Sequence, residues 1–320
     1  MPASISVKRF FLGVDGGQSS TTALIGDESG RVTGTGQGGP CNHVRGDQAR
    51  ARFLNTVGSC IRAACRQAGI EPRFHSAVLG FSGGPADKES LVHELIETRH
   101  VLVSHDALTA LVGACAGEPG IVTIAGTGSI AFGRNEKGAT ARAGGWGYIF
   151  GDEGGAFDIV RQALRAALRR DEGWGAETSL REALLEETGA KDADDLMHRF
   201  YSPDYPRSRV ATLSKIVDRE AIEGDAVAEQ ILRDAAAHLA GIAHAVRRQL
   251  FHPGERARVS YAGGVFRSRL LCATYRELIE REPGNDFTPP RYSPAAGALI
   301  EAYRQAGRHV LPVGLPASDK

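Results

Sequence analysis

The sequence predicts an α/β protein built from two related halves, and three observations carry that reading. Residues 11–22 run from an apolar strand into one acid, two glycines and the hydroxyl residues Ser19, Ser20, Thr21 and Thr22, after which an apolar strand resumes at 23–26. Further along, Ile124-Ala125-Gly126-Thr127-Gly128-Ser129 repeats the device between two more apolar segments. The chain has 320 residues, long for one core, which favours two domains. Glycine turns let backbone N–H groups close on phosphate oxygens, and an acid at a strand end can hold a metal ion. Two such hairpins in one chain suggest two halves closing on a nucleotide.

Taken in order, 9–15, 20–26 and 30–36 read as three short strands joined by turns. Residues 46–69 read as a helix, with Ala49, Phe53, Val57, Ile61, Ala64 and Ala68 at helical spacing and Gly69 as its C-cap. A buried strand at 76–81, a helix at 86–97, a strand at 100–104 and a helix at 107–116 complete the first half. The pattern then restarts. Residues 120–125, 129–134 and 139–143 read as strands and 154–170 as a helix. Residues 171–230 read as a polar helical insertion without strand signals. A long helix within 225–251, a strand at 258–262, a helix at 265–282 and a last helix at 293–306 follow. The expected domains are 1–117 and 118–320, with a hinge near Ala116-Gly117-Glu118-Pro119-Gly120 and the last helix crossing back onto the first domain.

Composition narrows the function. Charge is balanced, 38 basic against 38 acidic residues, so there is no basic field for nucleic acid and no acidic tail. The five cysteines lack metal-type spacing and read as reduced thiols. No run reaches the roughly 18 apolar residues of a membrane span, and a cytoplasmic location is expected. The 40 glycines exceed the usual share of roughly 7% and concentrate in tight turns, as close backbone approach to a ligand requires.

Each motif has a plainer reading beside the functional one. Asp15-Gly16-Gly17 could be only a hairpin turn; its pairing with the second hairpin favours phosphate binding. Asp106 follows Ser104-His105 where an apolar strand opens a helix. It is a helix cap or a general base at the carboxyl edge of a sheet, where open α/β sheets bind ligands. Asn42 and Ser82-Gly83-Gly84 place short polar groups near the same edge. The run from Gly144 to Gly155 is dense in glycine and aromatics around Trp146, as a loop wrapping a sugar would be, although Asp152 could simply cap the following helix. Gly263-Gly264 ends a strand and suits adenosine lying on backbone, or an ordinary tight turn. Two matches are rejected. Gly34-Thr35-Gly36-Gln37-Gly38-Gly39 fits the dinucleotide pattern but leads into Pro40 rather than a helix. Gly80-Phe81-Ser82-Gly83-Gly84 fits the hydrolase elbow, but no His-Gly-Gly-Gly motif accompanies it.

In one order the chain carries Val14-Asp15-Gly16-Gly17, Gly39-Pro40-Cys41-Asn42-His43, Ser82-Gly83-Gly84, Asp106-Ala107, Gly126-Thr127-Gly128-Ser129, Gly145-Trp146-Gly147, Gly151-Asp152-Glu153-Gly154 and Ala262-Gly263-Gly264. Together these resemble the N-acetylglucosamine kinases and their glucosamine-kinase relatives. That family is BadF/BadG-type, within the actin, heat-shock chaperone and hexokinase ATPase superfamily. The resemblance spans 9–305 and implies paired ribonuclease-H-like domains with an interdomain cleft. It implies ATP and Mg²⁺ as cofactors, an amino sugar as the small-molecule partner, and a homodimer as a possible assembly. By it, Asp106 matches the catalytic base and Asp15 the acid that positions Mg²⁺ through water. Gly16, Gly17 and Ser19 match the first phosphate hairpin, Thr127 and Gly128 the second, and Gly263 and Gly264 the adenosine motif. Asn42, Ser82, Gly83, Gly145, Trp146 and Asp152 match positions around the sugar. Gln18 and Ser19 replace the third glycine and the threonine of the vertebrate-type hairpin, so phosphate contacts differ there in detail. The implied reaction is phosphorylation of the 6-hydroxyl of N-acetylglucosamine or a related 2-amino hexose. Glucosamine and N-acetylmuramic acid are alternative substrates. An ATP-driven activator or switch on the same fold is the alternative of another class. The cluster-binding and zinc-binding cysteine motifs of the wider superfamily do not occur.

Overall fold

A computed structural model describes residues 8–17, 20–41, 46–84, 86 and 88–316. In chain order the first elements are β1 (Phe10–Gly16), β2 (Thr21–Asp27), β3 (Val32–Gly38), α1 (Gly46–Ala68), β4 (Arg73–Phe81), α2 (Glu89–His93), β5 (Glu97–His105) and α3 (Asp106–Cys115). Then come β6 (Gly120–Ala125), β7 (Ser129–Arg134), β8 (Thr140–Gly144), α4 (Ala156–Asp171), α5 (Leu180–Thr188), α6 (Ala193–Tyr201), α7 (Arg207–Thr212) and α8 (Ser214–Ile222). The chain closes with α9 (Ala226–Leu250), β9 (Ala257–Ala262), a 3₁₀ turn (Gly264–Arg267), α10 (Arg269–Glu280), β10 (Asn285–Phe287) and α11 (Pro294–Gln305). It divides into two units, residues 1–118 with 289–320, and residues 119–288.

The first unit is one five-stranded sheet in the order β3-β2-β1-β4-β5, in which β1–β2–β3 run antiparallel and β4 and β5 parallel to β1. Both faces are covered, and the period-2 alternation of β1 splits its side chains between them. Leu12 and Val14 pack with Val57, Ile61 and Ala64 of α1. Phe11, with Leu24 and Val78, packs with Ala296, Leu299 and Tyr303 of α11. Ser293 caps α11, accepting from the Ala296 N–H, and Pro294 fills its first turn. Glycines set how closely the helices lie. A Cβ on Gly36 would sit 2.0 Å from the Cys60 carbonyl oxygen, and one on Gly34 would sit 2.2 Å from that of Ala64. The dinucleotide-like glycine run is therefore a seat for α1.

The second unit repeats the plan. Its sheet order is β10-β9-β6-β7-β8, with β6–β7–β8 antiparallel and β9 and β10 parallel to β6. The two units are ribonuclease-H-like α/β domains with equivalent strand orders, and equivalent hairpins lead each one.

Two expected helices need correction, and one strand was not foreseen. The helix expected over 86–97 is only the five residues of α2, because Glu97 pairs with Arg73 in the β4–β5 ladder and the chain is already a strand there. The helix expected over 265–282 breaks at Ser268, whose side chain caps α10 by accepting from the Leu271 N–H. The strand β10 had no recognisable signal in its three residues. The insertion is helical, as α5–α8, but it is not merely polar: Leu180, Leu184, Leu196, Val210, Ile216 and Val217 join the core of the second unit.

Candidate active site

In the first unit the parallel strands β1, β4 and β5 end together. Asp15 is paired with Gly80 in register, and Phe81 with His105. Asp15 falls on the same face of β1 as Phe11, the face that α11 covers and that α3 adjoins. There the Thr109 hydroxyl oxygen lies 2.9 Å from Asp15 Oδ1 and 2.8 Å from the Asp106 carbonyl oxygen. Gly80 makes room, since a Cβ there would lie 2.5 Å from the Thr109 side chain. His105 is the N-cap of α3 and Asp106 its first helical residue, so Asp106 is not a cap. A carboxylate in a first turn faces the positive end of the helix dipole.

Electrostatics single out both acids. Burial, then the negative charge of Asp106, push the Asp15 carboxyl up to about 7 against the opposing Thr109 hydrogen bond. Part of Asp15 still reaches solvent. Burial also raises Asp106, although the Ala107 N–H, His105 and Lys88 oppose it. The turn beside them is tightly braced. The Lys88 ammonium is buried, donates to the Gly84 carbonyl oxygen at 2.6 Å and lies 5.9 Å from the Phe81 ring centroid. The Ser82 N–H donates to Gly16 O at 3.0 Å, and the Cys41 N–H to Gly17 O at 3.0 Å, tying three loops together. Asp15, Gly16, Gly17, Ser82, Gly83 and Asp106 thus gather at one sheet edge. Ser19 and Asn42 lie outside the described residues.

The second unit builds an equivalent edge. Its hairpin, 125–129, is docked on the start of α4 by N–H donation from Ala156 to Gly126 O at 2.8 Å and from Phe157 to Thr127 O at 3.1 Å. Gly263 takes φ +102°, and a Cβ there would lie 2.3 Å from the Ala125 carbonyl oxygen, so only glycine brings the end of β9 against the end of β6. The loop from Gly144 to Gly155 lies beside the hairpin: the Gly145 N–H donates to Ser129 O at 2.9 Å and the Ser129 hydroxyl to Glu153 O at 2.7 Å. Asp152 sits in this loop at φ +65°, nearly buried. Gly155, not Asp152, caps α4. Trp146 is 66% exposed, with the Arg142 guanidinium 5.1 Å from its ring centroid.

Sequence reading missed Thr109, Lys88 and Arg207. Thr109 stands three residues after Asp106, a spacing that placed it on the same helix face. Arg207 reaches Asp152 across 55 residues, Nη2 to Oδ2 at 2.6 Å, and nothing local in the sequence announces it. Among the described residues, no group of three or more His, Cys, Asp or Glu side chains could hold a metal ion. No helix among them is long and apolar enough to cross a membrane.

Comparison with known proteins gives a consistent family. Residues 12–302 match the BadF/BadG/BcrA/BcrD ATPase family. An N-acetylmuramic acid/N-acetylglucosamine kinase of Clostridium acetobutylicum is 30% identical over 302 residues, covering 92% of this chain and 98% of its own. An N-acetyl-D-glucosamine kinase of Dictyostelium discoideum is 29% identical over 313 residues, with 92% and 98% covered. A solved structure from Chromobacterium violaceum, provisionally named an N-acetylglucosamine kinase, superposes with a TM-score of 0.74 at 26% identity, over 91% of this chain and 98% of that one.

Proposed function

Because the chain belongs to the BadF/BadG/BcrA/BcrD ATPase family, and because curated relatives spanning it nearly end to end are amino-sugar kinases, we propose that it is an ATP-dependent amino-sugar kinase. The acceptor is the 6-hydroxyl of N-acetylglucosamine or a related 2-amino hexose. One structural observation supports this most: two carboxylates with raised affinity for protons, Asp15 and Asp106, meet at a strand edge beside a glycine hairpin.

In this reading Asp106 accepts the proton of the sugar hydroxyl as that oxygen attacks the γ-phosphorus in line. Its place in the first turn of α3 and the hydrogen bond from the Ala107 N–H hold it, so little reorganisation is needed when charge moves. The residues suit Mg²⁺. Asp15 offers a hard oxygen donor in a place where a second negative charge is already unfavourable, and Mg²⁺ takes one or two carboxylates with water and substrate phosphates rather than an all-protein cage. Asp15 would hold it through water. When bound, the ion neutralises charge on the phosphate oxygens. The hairpin of Gly16, Gly17 and Ser19, whose turn is closed by the Gly17 N–H on Ser20 O at 2.8 Å, and the hairpin of Thr127 and Gly128 are the places we assign to phosphate oxygens. Gly264, with nothing within 4 Å of where a Cβ would stand, leaves backbone open to adenosine, and Gly263 makes the turn that presents it. Ser82, Gly83 and Asn42 of the first unit and Gly145, Trp146 and Asp152 of the second are the residues we assign to sugar recognition, the indole for its apolar face.

The test is a panel of N-acetylglucosamine, glucosamine, N-acetylmuramic acid and glucose with Mg²⁺·ATP, reading ADP and the sugar phosphate. Sugar-dependent ADP formation with matching sugar phosphate supports the kinase. ADP formation that ignores every sugar supports the activator or switch instead.

A further inference from the structure

The helical insertion reaches back to the candidate sugar loop through one side chain. Arg207 opens α7, and its guanidinium donates to Asp152 Oδ2 at 2.6 Å. It lies 5.1 Å from the Tyr148 ring centroid and 5.8 Å from that of Phe157, so two aromatic faces orient its plane. Its Nε is buried without a hydrogen-bond partner. Ring faces and Asp152 therefore fix this arginine, not a saturated hydrogen-bond shell. The pair also bears on the phosphate hairpin. A Cβ on Gly128 would lie 2.3 Å from Asp152 Oδ2 and 2.8 Å from Arg207 Nη2.

Asp152 needs such a clamp. An aspartate at φ +65° is in the left-handed region, which L side chains rarely adopt. Its carboxylate has two oxygens. Oδ2 is held by Arg207, while Oδ1 makes no hydrogen bond among the described residues and can accept one from a ligand hydroxyl. A charge-assisted bond from a planar, ring-stacked donor fixes the direction of that second oxygen.

We propose that Arg207 is a positioning residue for sugar recognition: it holds Asp152 so that Oδ1 faces the sugar, and thereby makes the helical insertion a determinant of sugar affinity. This rests on the amino-sugar reading above for the identity of the ligand. The positioning itself has its own readout.

Arg207→Ala should raise the sugar KM roughly 10- to 100-fold, the worth of one charged hydrogen bond, with the ATP KM raised less, since the pair also packs on Gly128, and kcat altered far less. Arg207→Lys keeps the charge but not the stacked plane, and should fall between Arg207→Ala and wild type. Arg207→Ala added to Asp152→Asn should raise the sugar KM no further, because both act through one carboxylate. Without any sugar, amide exchange across 151–155 should be faster in Arg207→Ala. An unchanged sugar KM with folded protein, effects that add in the double variant, or unchanged exchange at 151–155 would each overturn the proposal. If wild-type protein phosphorylates no amino sugar, the functional reading fails, and the exchange measurement alone decides whether Arg207 orders Asp152.

Discussion

Asp106 and Asp15 share an environment that burial makes unfavourable to charge. Asp106→Asn keeps the shape and removes the proton acceptor. Turnover should fall by about 10²- to 10⁴-fold, while sugar still binds, as an equilibrium titration would read. The raised Asp106 also moves the acid limb of the pH–rate profile. The base works only when deprotonated, so activity should already decline at a pH above the ordinary aspartate value of about 3.9 as the medium is acidified. For Asp15 the same sign appears in stability. Its carboxyl titrates near 3.8 unfolded and at about 7 folded. The folded state thus favours the protonated form, and stability from this group is full below 3.8 and lost as pH rises through 7. Asp15→Asn, without nucleotide or Mg²⁺, should therefore melt higher than wild type above pH 7. The gain is at most about 4 kcal/mol, shrinking towards zero near pH 4. A variant that melts lower at pH 8 would contradict the buried, mutually repelling pair. The same variant should need more Mg²⁺ for any residual turnover.

The hairpins and the 144–155 loop were legible because their chemistry is local. An acid or hydroxyls beside consecutive glycines, set between apolar strands, has few structural uses. The glycine runs also misled where packing was their purpose, as at Gly34 and Gly36 under α1. Gly36→Ala should cost stability by about 1–3 kcal/mol and leave the sugar KM unaltered, a pairing that thermal melting and kinetics can check. The shortness of α2 and the break at Ser268 were not legible, since one is imposed by the β4–β5 ladder and the other by a serine cap between two arginines, Arg267 and Arg269, that interrupts no helical pattern. Trp146 gives the loop its own reporter. It is exposed, with the Arg142 guanidinium over its ring. Sugar covering the indole should change tryptophan fluorescence, with the change retained in Trp174→Phe and lost in Trp146→Phe. A signal that follows Trp174 would remove Trp146 from the sugar site.

Across the whole chain, duplication is the theme: one strand order, used twice, presents a glycine hairpin at the leading edge of each unit. The repeat was readable from element order although the halves share little sequence, because strand alternation and hairpin chemistry survive where individual side chains do not. The units then diverge in use. The first carries the paired acids. The second carries the aromatic loop and an insertion whose Arg207 touches it. The contact between Arg207 and Asp152 was invisible in the sequence, as was that between Thr109 and Asp15, because each joins distant segments through the fold. The most direct test of the account is ³¹P NMR of the product after incubation with Mg²⁺·ATP and N-acetylglucosamine, glucosamine or N-acetylmuramic acid. A phosphomonoester coupled to the C6 protons, formed with one ADP per sugar and about 10²-fold or more slower with Asp106→Asn, is the predicted result. A phosphate at C1, or ADP accumulating with no sugar phosphate in any of the three, would contradict it.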